Sequence, residues 1–141
     1  MSKEFDQFDS PTTLTLDSVR MYSHPDLPKD PGVIELSFSD WKVFVCVEAD
    51  NDTLVCERSL PASHSAYTLE LPPSFWDRVV GKTLTTAWKM TNDRGYPDAL
   101  QLRFRDSPNA GEYTVIQMVA EASQITLTEL RITRNFRRLS T

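Results

Sequence analysis

Residues 82–106 have a degenerate copy in residues 14–40, and this internal similarity constrains the fold more than any other feature of the sequence. The similarity continues beyond these stretches and gives two units, 14–58 and 82–130. Apolar residues recur at every second position in both units, so the shared pattern predicts β-strands. Common ancestry of the two units is a second prediction. The aligned pairs include Val19 and Trp88, Phe38 and Phe104, Val43 and Val115, and Leu54 and Leu127.

Each unit is predicted to fold as a four-stranded antiparallel meander, because turn-forming residues separate its apolar runs. The segment 41–48 carries apolar side chains on both faces, which predicts a central strand that is covered on both sides. Asp17 and Ser18 interrupt the alternation in the first strand, which predicts a β-bulge. The predicted strands lie near 14–21, 33–38, 41–48, 53–60, 83–91, 99–106, 113–120 and 125–133, with 67–71 a candidate for one more.

One short helix is predicted between the units, at about 74–80. Ser74 can cap its first amide groups, and Gly81 suits the left-handed residue that ends a helix. Such a helix has little stability of its own, so Phe75 and Trp76 are expected to pin it to the body. We therefore predict a mainly β fold of about eight antiparallel strands, in two repeated meanders that form a closed or nearly closed barrel with the helix over one end. A two-sheet sandwich is the alternative.

The length of 141 residues fits a single domain, and the ends 1–9 and 135–141 are predicted to be flexible tails. The net charge is −5 and is unevenly distributed. Residues 1–72 carry five Lys or Arg against thirteen Asp or Glu, whereas 73–141 carry ten against seven. The acidic front half argues against nucleic acid as a partner, because phosphate binding requires a basic surface. No apolar run is long enough to span a membrane and no secretion signal is evident, which favours a cytoplasmic protein.

Cys46 and Cys56 are the only cysteines, and their spacing matches no zinc-binding pattern. They flank the turn-forming residues 50–52, so a hairpin with an odd-length loop would set the two thiols opposite each other. In a reducing cytosol both are predicted to remain small buried apolar side chains. Whether they pair stays open at this point.

No residue pattern in the chain predicts catalysis, a metal site or a cofactor. His24 and His64 lie in loop segments without the nucleophile and orienting acid that a hydrolytic site needs. The carboxylates of residues 50–52 lack the glycine and distant glutamate of a calcium loop, so an acidic hairpin tip is the simpler interpretation. A carboxylate cluster would form if three strands pair suitably, from Glu35, Glu48 and Glu57.

The loop 91–98 is the strongest candidate for a binding surface. It combines amide, carboxylate, guanidinium and phenol groups, and a tryptophan lies close by in the sequence. Tyr, Trp and Arg dominate the energetics of protein interfaces, so these groups could anchor a partner. The structural interpretation is that Asn and Asp close the turn, Gly supplies a positive φ and Pro ends it. The candidate binding residues are Trp88, Asn92, Arg94, Tyr96 and Asp98, together with Asp50 and Asp52 of the acidic hairpin tip.

Residues 81–104 carry a spaced pattern of Gly81, Lys82, Leu84, Trp88, Asn92, Gly95, Tyr96, Asp98, Ala99, Leu100, Leu102 and Phe104. This pattern resembles the core of small bacterial proteins of unknown function. The resemblance implies a bacterial source. It implies no known activity and adds no catalytic residue.

These observations together lead us to expect a non-catalytic binding module that recognises a protein with a basic surface, in an immunity-like or inhibitor-like role. Clustered carboxylates would raise the rate of encounter with such a partner. The alternative is a small-molecule binder that uses the mouth of the barrel, and an enzyme of unrecognised type comes third. A filled interior would favour the protein partner, whereas an open cavity lined by polar groups would favour the ligand.

Overall fold

The structure, a computed structural model, describes residues 14–24, 31–39, 41–48, 52–61, 67–70, 72–107, 111–121 and 124–132. The predicted tails 1–9 and 135–141 lie outside these residues, as does His64. The described chain is mainly β, with one 3₁₀ helix at Ser74–Arg78. Its strands are β1 Leu14–Ser23, β2 Val33–Phe38, β3 Trp41–Glu48, β4 Thr53–Glu57, β5 Thr68–Glu70, β6 Thr83–Thr91, β7 Pro97–Arg105, β8 Tyr113–Glu121 and β9 Gln124–Ile132.

The strands form two four-stranded antiparallel meanders, as predicted. The first meander is β1 to β4 and the second is β6 to β9, and in each one every strand pairs with the next in sequence. The start of β1 pairs with the start of β6 and joins the meanders into one sheet. The short β5, within the candidate segment 67–71, pairs with the end of β1.

The pairing registers of the two meanders correspond closely. Leu16 pairs with Phe38 in the first meander, and Leu84 pairs with Phe104 in the second. A register shift follows each leucine, so both meanders carry an irregularity at the same place. The shift after Leu16 confirms the bulge that the sequence predicted.

The register also corrects the sequence alignment. Val19 pairs with Leu36, and the counterpart of that pair is Ala87 with Leu102. The sequence alignment paired Val19 with Trp88, but in the structure the residue equivalent to Val19 is Ala87. The alignment was out of step by one residue, and in a strand this places a side chain on the opposite face of the sheet. Whether the two units share an ancestor stays a prediction.

The inward side chains of both meanders pack into one apolar core, because the sheet folds over and brings β4 against β7 and β8. Within the described residues β4 and β9, the two ends of the sheet, do not pair, so the predicted closed barrel is wrong. The arrangement agrees with the sandwich alternative, in which two layers cover each other's apolar faces. The core includes Leu16, Ile34, Leu36, Phe38, Val45, Leu54, Leu84, Leu100, Leu102, Phe104, Ile116, Met118 and Ile125.

A smaller apolar cluster covers the outer face of the first meander. Val33, Phe44 and Cys46 are buried there, beneath partly buried residues that include Leu60 and Tyr67. The strand β3 is therefore covered on both sides, as its sequence predicted. The second meander has no such cluster on its outer face among the described residues.

The 3₁₀ helix fixes the connection between the meanders. Trp76 is 1% exposed and belongs to the main core together with Val79. The residue at the N-cap position is Pro73, and Ser74 is the first residue of the helix, so the predicted cap by Ser74 is wrong. Gly81 has a φ of 87°, which confirms its left-handed role at the end of the segment. Among the described residues, no helix is both long enough and apolar enough to cross a membrane.

Candidate binding surface

Side chains that point away from the core on β6, β7 and β8 meet on the outer face of the second meander. On β7, Leu102 and Phe104 face inward. Arg103 and Arg105 alternate with them along the strand and therefore face outward. Trp88 of β6 and Tyr113 of β8 reach them from either side. We call Trp88, Arg103, Arg105 and Tyr113 the aromatic–arginine cluster.

Cation–π contacts hold the cluster together. The guanidinium carbon of Arg103 lies 4.7 Å from the ring centroid of Trp88 and 4.1 Å from that of Tyr113. The guanidinium carbon of Arg105 lies 4.8 Å from the same tyrosine ring. Each distance is within the range over which a guanidinium is attracted to an aromatic face. Trp88 remains 37% exposed despite these contacts.

Among the described residues, Arg103 has no carboxylate partner of the kind that a guanidinium usually finds. Its Nε is buried and has no hydrogen-bond acceptor, and no carboxylate in the described chain forms an ion pair with it. A buried donor without an acceptor is costly, because folding removes it from water without replacing the lost hydrogen bond. By contrast, the neighbouring Gln101 donates its Nε2 hydrogen to Oε1 of Gln117 over 2.6 Å.

A charged cleft of about 430 Å³ adjoins the cluster, but its charges are largely matched internally. Arg78 donates from Nε to Oε2 of Glu129 over 2.8 Å, and Lys82 pairs with Asp106. The hydrogen bond from Arg78 is the main reason that the pKa of Glu129 is lowered. The cleft is lined by Asp77, Arg78, Lys82, Phe104, Arg105, Asp106, Glu112, Tyr113, Thr114 and Arg131.

The β6–β7 hairpin uses its predicted binding residues partly for its own structure. Oδ1 of Asn92 accepts backbone hydrogen bonds from Arg94, over 2.9 Å, and from Tyr96, over 3.1 Å. This is the turn-closing role that the structural interpretation assigned to asparagine. Arg94 and Tyr96 are exposed, and Asp98 is half-buried on β7. Trp88 contacts Arg103 instead, at a strand position paired with Gln101.

The acidic residues of the first meander occupy different settings. Asp52 lies in the turn before β4 with a φ of 49°, and Asp50 lies outside the described residues. Glu35 is buried and accepts a hydrogen bond from the hydroxyl of Tyr22 over 2.8 Å. Burial and then this bond raise the pKa of Tyr22. Glu35 and Glu57 both lie opposite Phe44, so part of the proposed carboxylate cluster shares one face.

The two cysteines do not face each other. The register pairs Cys46 with Val55 and Cys56 with Val45, because the connection between β3 and β4 has an even number of residues. The predicted opposition of the thiols is therefore wrong, and the side chains lie on opposite faces of the sheet. Burial, followed by the charges of Glu57 and Glu48, raises the pKa of Cys46 to about 12. A thiol in that state is a poor nucleophile at neutral pH.

The side chains that could bind a metal ion, and the one described histidine, form no recognisable site in the described ranges. These ranges contain no group of three or more His, Cys, Asp or Glu side chains that could hold a metal ion. The ring of His24 makes an edge contact with Tyr67, with 5.4 Å between ring centroids.

The sequence analysis missed Arg103, Arg105 and Tyr113 as surface residues that act together. The strict alternation of β7 indicated that both arginines face away from the core. The cross-strand register that brings Trp88 to Arg103 left no local signal, because it depends on the register shift after Leu84 in β6. Tyr113 reaches Arg103 through the regular pairing of β7 with β8, which the sequence of either strand alone does not show.

The fold and this surface define a small mainly β protein of two facing meanders, with an aromatic–arginine cluster on one outer face. The chain belongs to the family of unknown function DUF6334, whose sequence profile matches residues 1–134. This confirms the expectation of a family of unknown function and extends it from residues 81–104 to nearly the whole chain. Comparison with curated proteins and with solved structures finds no match.

Proposed function

We propose that this protein is a non-catalytic binding module whose partner is another protein. The observation that carries the proposal is the aromatic–arginine cluster, in which Trp88 stays exposed beside an arginine with no anionic partner in the described chain. Trp, Tyr and Arg are the residues that most often supply binding energy in protein interfaces. A broad sheet face suits a protein surface better than it suits a small ligand, which usually requires a concave site.

The filled interior also supports a protein partner. The inward side chains of both meanders pack into one cluster, and Leu36, Leu100, Leu102 and Ile116 are fully buried within it. The rival function, a small-molecule binder, was expected to use the mouth of a barrel, which this sheet does not form in its described part. The charged cleft beside the aromatic–arginine cluster is a second place where a small molecule could bind. Its ion pairs, however, leave little charge to attract a ligand.

The charge of the molecule supports a partner with a basic surface. The net charge of −5 attracts a basic protein over a distance of about one Debye length, roughly 8 Å at physiological salt. Glu48 and Asp52 of the β3–β4 hairpin are described carboxylates that would contribute to this field. An immunity-like or inhibitor-like role in the cytoplasm of a bacterium is consistent with this chemistry and with the resemblance that the sequence shows.

Affinity capture from cells that express the protein naturally tests the proposal. The wild type, Trp88→Ala and Leu69→Ala serve as bait, because Leu69 is also a large exposed apolar residue, 61% exposed, but lies on β5. We expect a protein partner that is recovered with the wild type and with Leu69→Ala, and lost with Trp88→Ala. Recovery should also fall at high salt and with Asp52→Lys. A partner that binds all variants equally would contradict the proposal, and a retained metabolite in its place would favour the small-molecule function.

A further inference from the structure

The guanidinium of Arg103 is held in place by neighbouring rings, and no anion among the described residues binds it. Its guanidinium packs against both Trp88 and Tyr113, which restricts the conformations of a long side chain before any partner arrives. Its Nε is buried and has no hydrogen-bond acceptor in the described part of the chain. A group that is already desolvated and positioned loses less free energy on binding than a mobile, hydrated one, so a correctly placed anion gains affinity here.

We propose that Arg103 binds a carboxylate of the partner, supplied by an aspartate or glutamate side chain. Arginine presents its donors in a planar fork that matches the two oxygens of a carboxylate, and such charge-assisted pairs are stronger than neutral hydrogen bonds. The carboxylate would bind the part of the guanidinium that remains accessible on this half-buried side chain, while the exposed ring of Trp88 would pack against an adjacent apolar side chain of the partner. This inference rests on the proposed function and names the chemistry of its central contact.

Charge complementarity identifies the occupant of this face. The strand positions around Arg103 carry arginine, glutamine, threonine, aromatic and aliphatic side chains, and none of them carries a carboxylate. They are Thr86, Trp88, Gln101, Arg105, Tyr113, Val115, Gln117, Thr128 and Leu130. At these strand positions a partner carboxylate would thus meet cations and neutral groups. The nearby carboxylates, Asp106 and Glu112, line the adjoining cleft beside Arg105 and Tyr113, and Asp106 is paired with Lys82.

A local carboxylate is compatible with a partner whose surface is otherwise basic. The net charge of the molecule governs long-range attraction, whereas Arg103 acts only on the group that touches it. A nucleic acid is a poorer occupant, because a chain of phosphates would be repelled by a protein of net charge −5.

Side-chain NMR of Arg103 tests the inference with a defined probe. A capped peptide that carries one glutamate among neutral residues is titrated into the protein while the Nε–Hε signal of Arg103 is followed. We expect saturable shifts of that signal in the wild type, and binding at least about tenfold weaker in Arg103→Gln. The affinity of Arg103→Lys should lie between those of the wild type and Arg103→Gln, because lysine keeps the positive charge but lacks the planar set of donors of a guanidinium. Arg58→Gln removes one charge from an exposed position on the first meander, and it should bind as the wild type does.

Four results would overturn the inference. Equal affinity of Arg103→Gln and the wild type, with both melting cooperatively, would show that Arg103 is not the anchor, and so would an unmoved Nε–Hε signal. Tighter, Arg103-dependent binding of a capped oligothymidylate would assign the site to phosphates. If Trp88→Ala loses the captured protein partner while Arg103→Gln retains it, the proposed function stands and the carboxylate contact falls.

Discussion

Thr15 pairs with Thr83 where β1 meets β6, and the two threonines hold the same place in their respective meanders. Each immediately precedes the leucine that pairs with the inward phenylalanine of the next strand. An antiparallel pair of equivalent residues is what a twofold axis through the junction produces. The two meanders therefore meet as near-equivalent halves, and their inward faces form one core.

The equivalence of the halves predicts matched energetic roles for Phe38 and Phe104. Both are buried, at 4% and 1% exposure, and both pair with a buried leucine. We expect Phe38→Ala and Phe104→Ala each to lower the free energy of unfolding by roughly 3–5 kcal/mol. Urea unfolding with a single transition checks this. A cost below about 1 kcal/mol for either variant would show that its half contributes little to the shared core.

Trp76 is predicted to be the main attachment of the 3₁₀ helix. Because the indole is 1% exposed within the core, Trp76→Ala should cost roughly 3–5 kcal/mol. Its Nε1 is buried and has no hydrogen-bond acceptor among the described residues, so Trp76→Phe removes an unsatisfied donor, leaves a smaller cavity and should cost clearly less than Trp76→Ala. Denaturant unfolding measures both. Equal losses for the two variants would contradict this account of the indole nitrogen.

The Arg78–Glu129 pair predicts a stability difference that depends on pH. The hydrogen bond from Arg78 lowers the folded-state pKa of Glu129, so the pair stabilises the fold above the ordinary carboxyl pKa of about 4.3. This contribution is lost as the pH falls through the lowered pKa. Melting temperatures of the wild type and Glu129→Gln should therefore differ by a few degrees at pH 7 and converge in acid. A gap that persists unchanged below pH 3 would exclude this origin.

Cys46 and Cys56 are predicted to form no disulfide with each other in the folded protein. Cys46 and Cys56 lie on opposite faces of the β3–β4 hairpin, and both are buried. A thiol reagent should react with them only slowly until the protein is unfolded. Treatment with diamide should leave the mass of the folded protein unchanged. Loss of two hydrogens with the fold intact would show that the hairpin register differs from the one described.

The strand pattern was predictable from the sequence because alternation is local. The alternation of apolar residues indicated both meanders and the strand β3 that is covered on both faces. The left-handed conformation of Gly81 was predicted separately, from its position at the end of the helical segment. The irregularity after Leu16 was predictable from Asp17 and Ser18, but the matching one after Leu84 moves side chains to the other face without a marked change in composition, so the equivalence of positions between the two meanders was not predictable. For that reason Val19 was aligned with Trp88, although its structural counterpart is Ala87.

Closure of the sheet and the binding surface lay beyond the sequence for a related reason. Whether β4 pairs with β9 depends on how far the whole sheet bends, and a barrel and a sandwich share the same alternating pattern. The aromatic–arginine cluster joins residues from three strands. The sequence identified Trp88 as a candidate binding residue because tryptophan is common in interfaces. It gave no reason to single out Arg103 or Tyr113, which the strand register brings into contact with each other and with Trp88.

The central claim, that the outer face of the second meander is the binding surface, is tested most directly by calorimetry with the captured partner. We predict that Trp88→Ala weakens the affinity at least about tenfold, because exposed tryptophans act as anchors. Leu69→Ala, on β5 of the other half, should leave the affinity within about twofold. Unchanged binding by Trp88→Ala together with a large loss in Leu69→Ala would place the interface on the first meander and contradict the account.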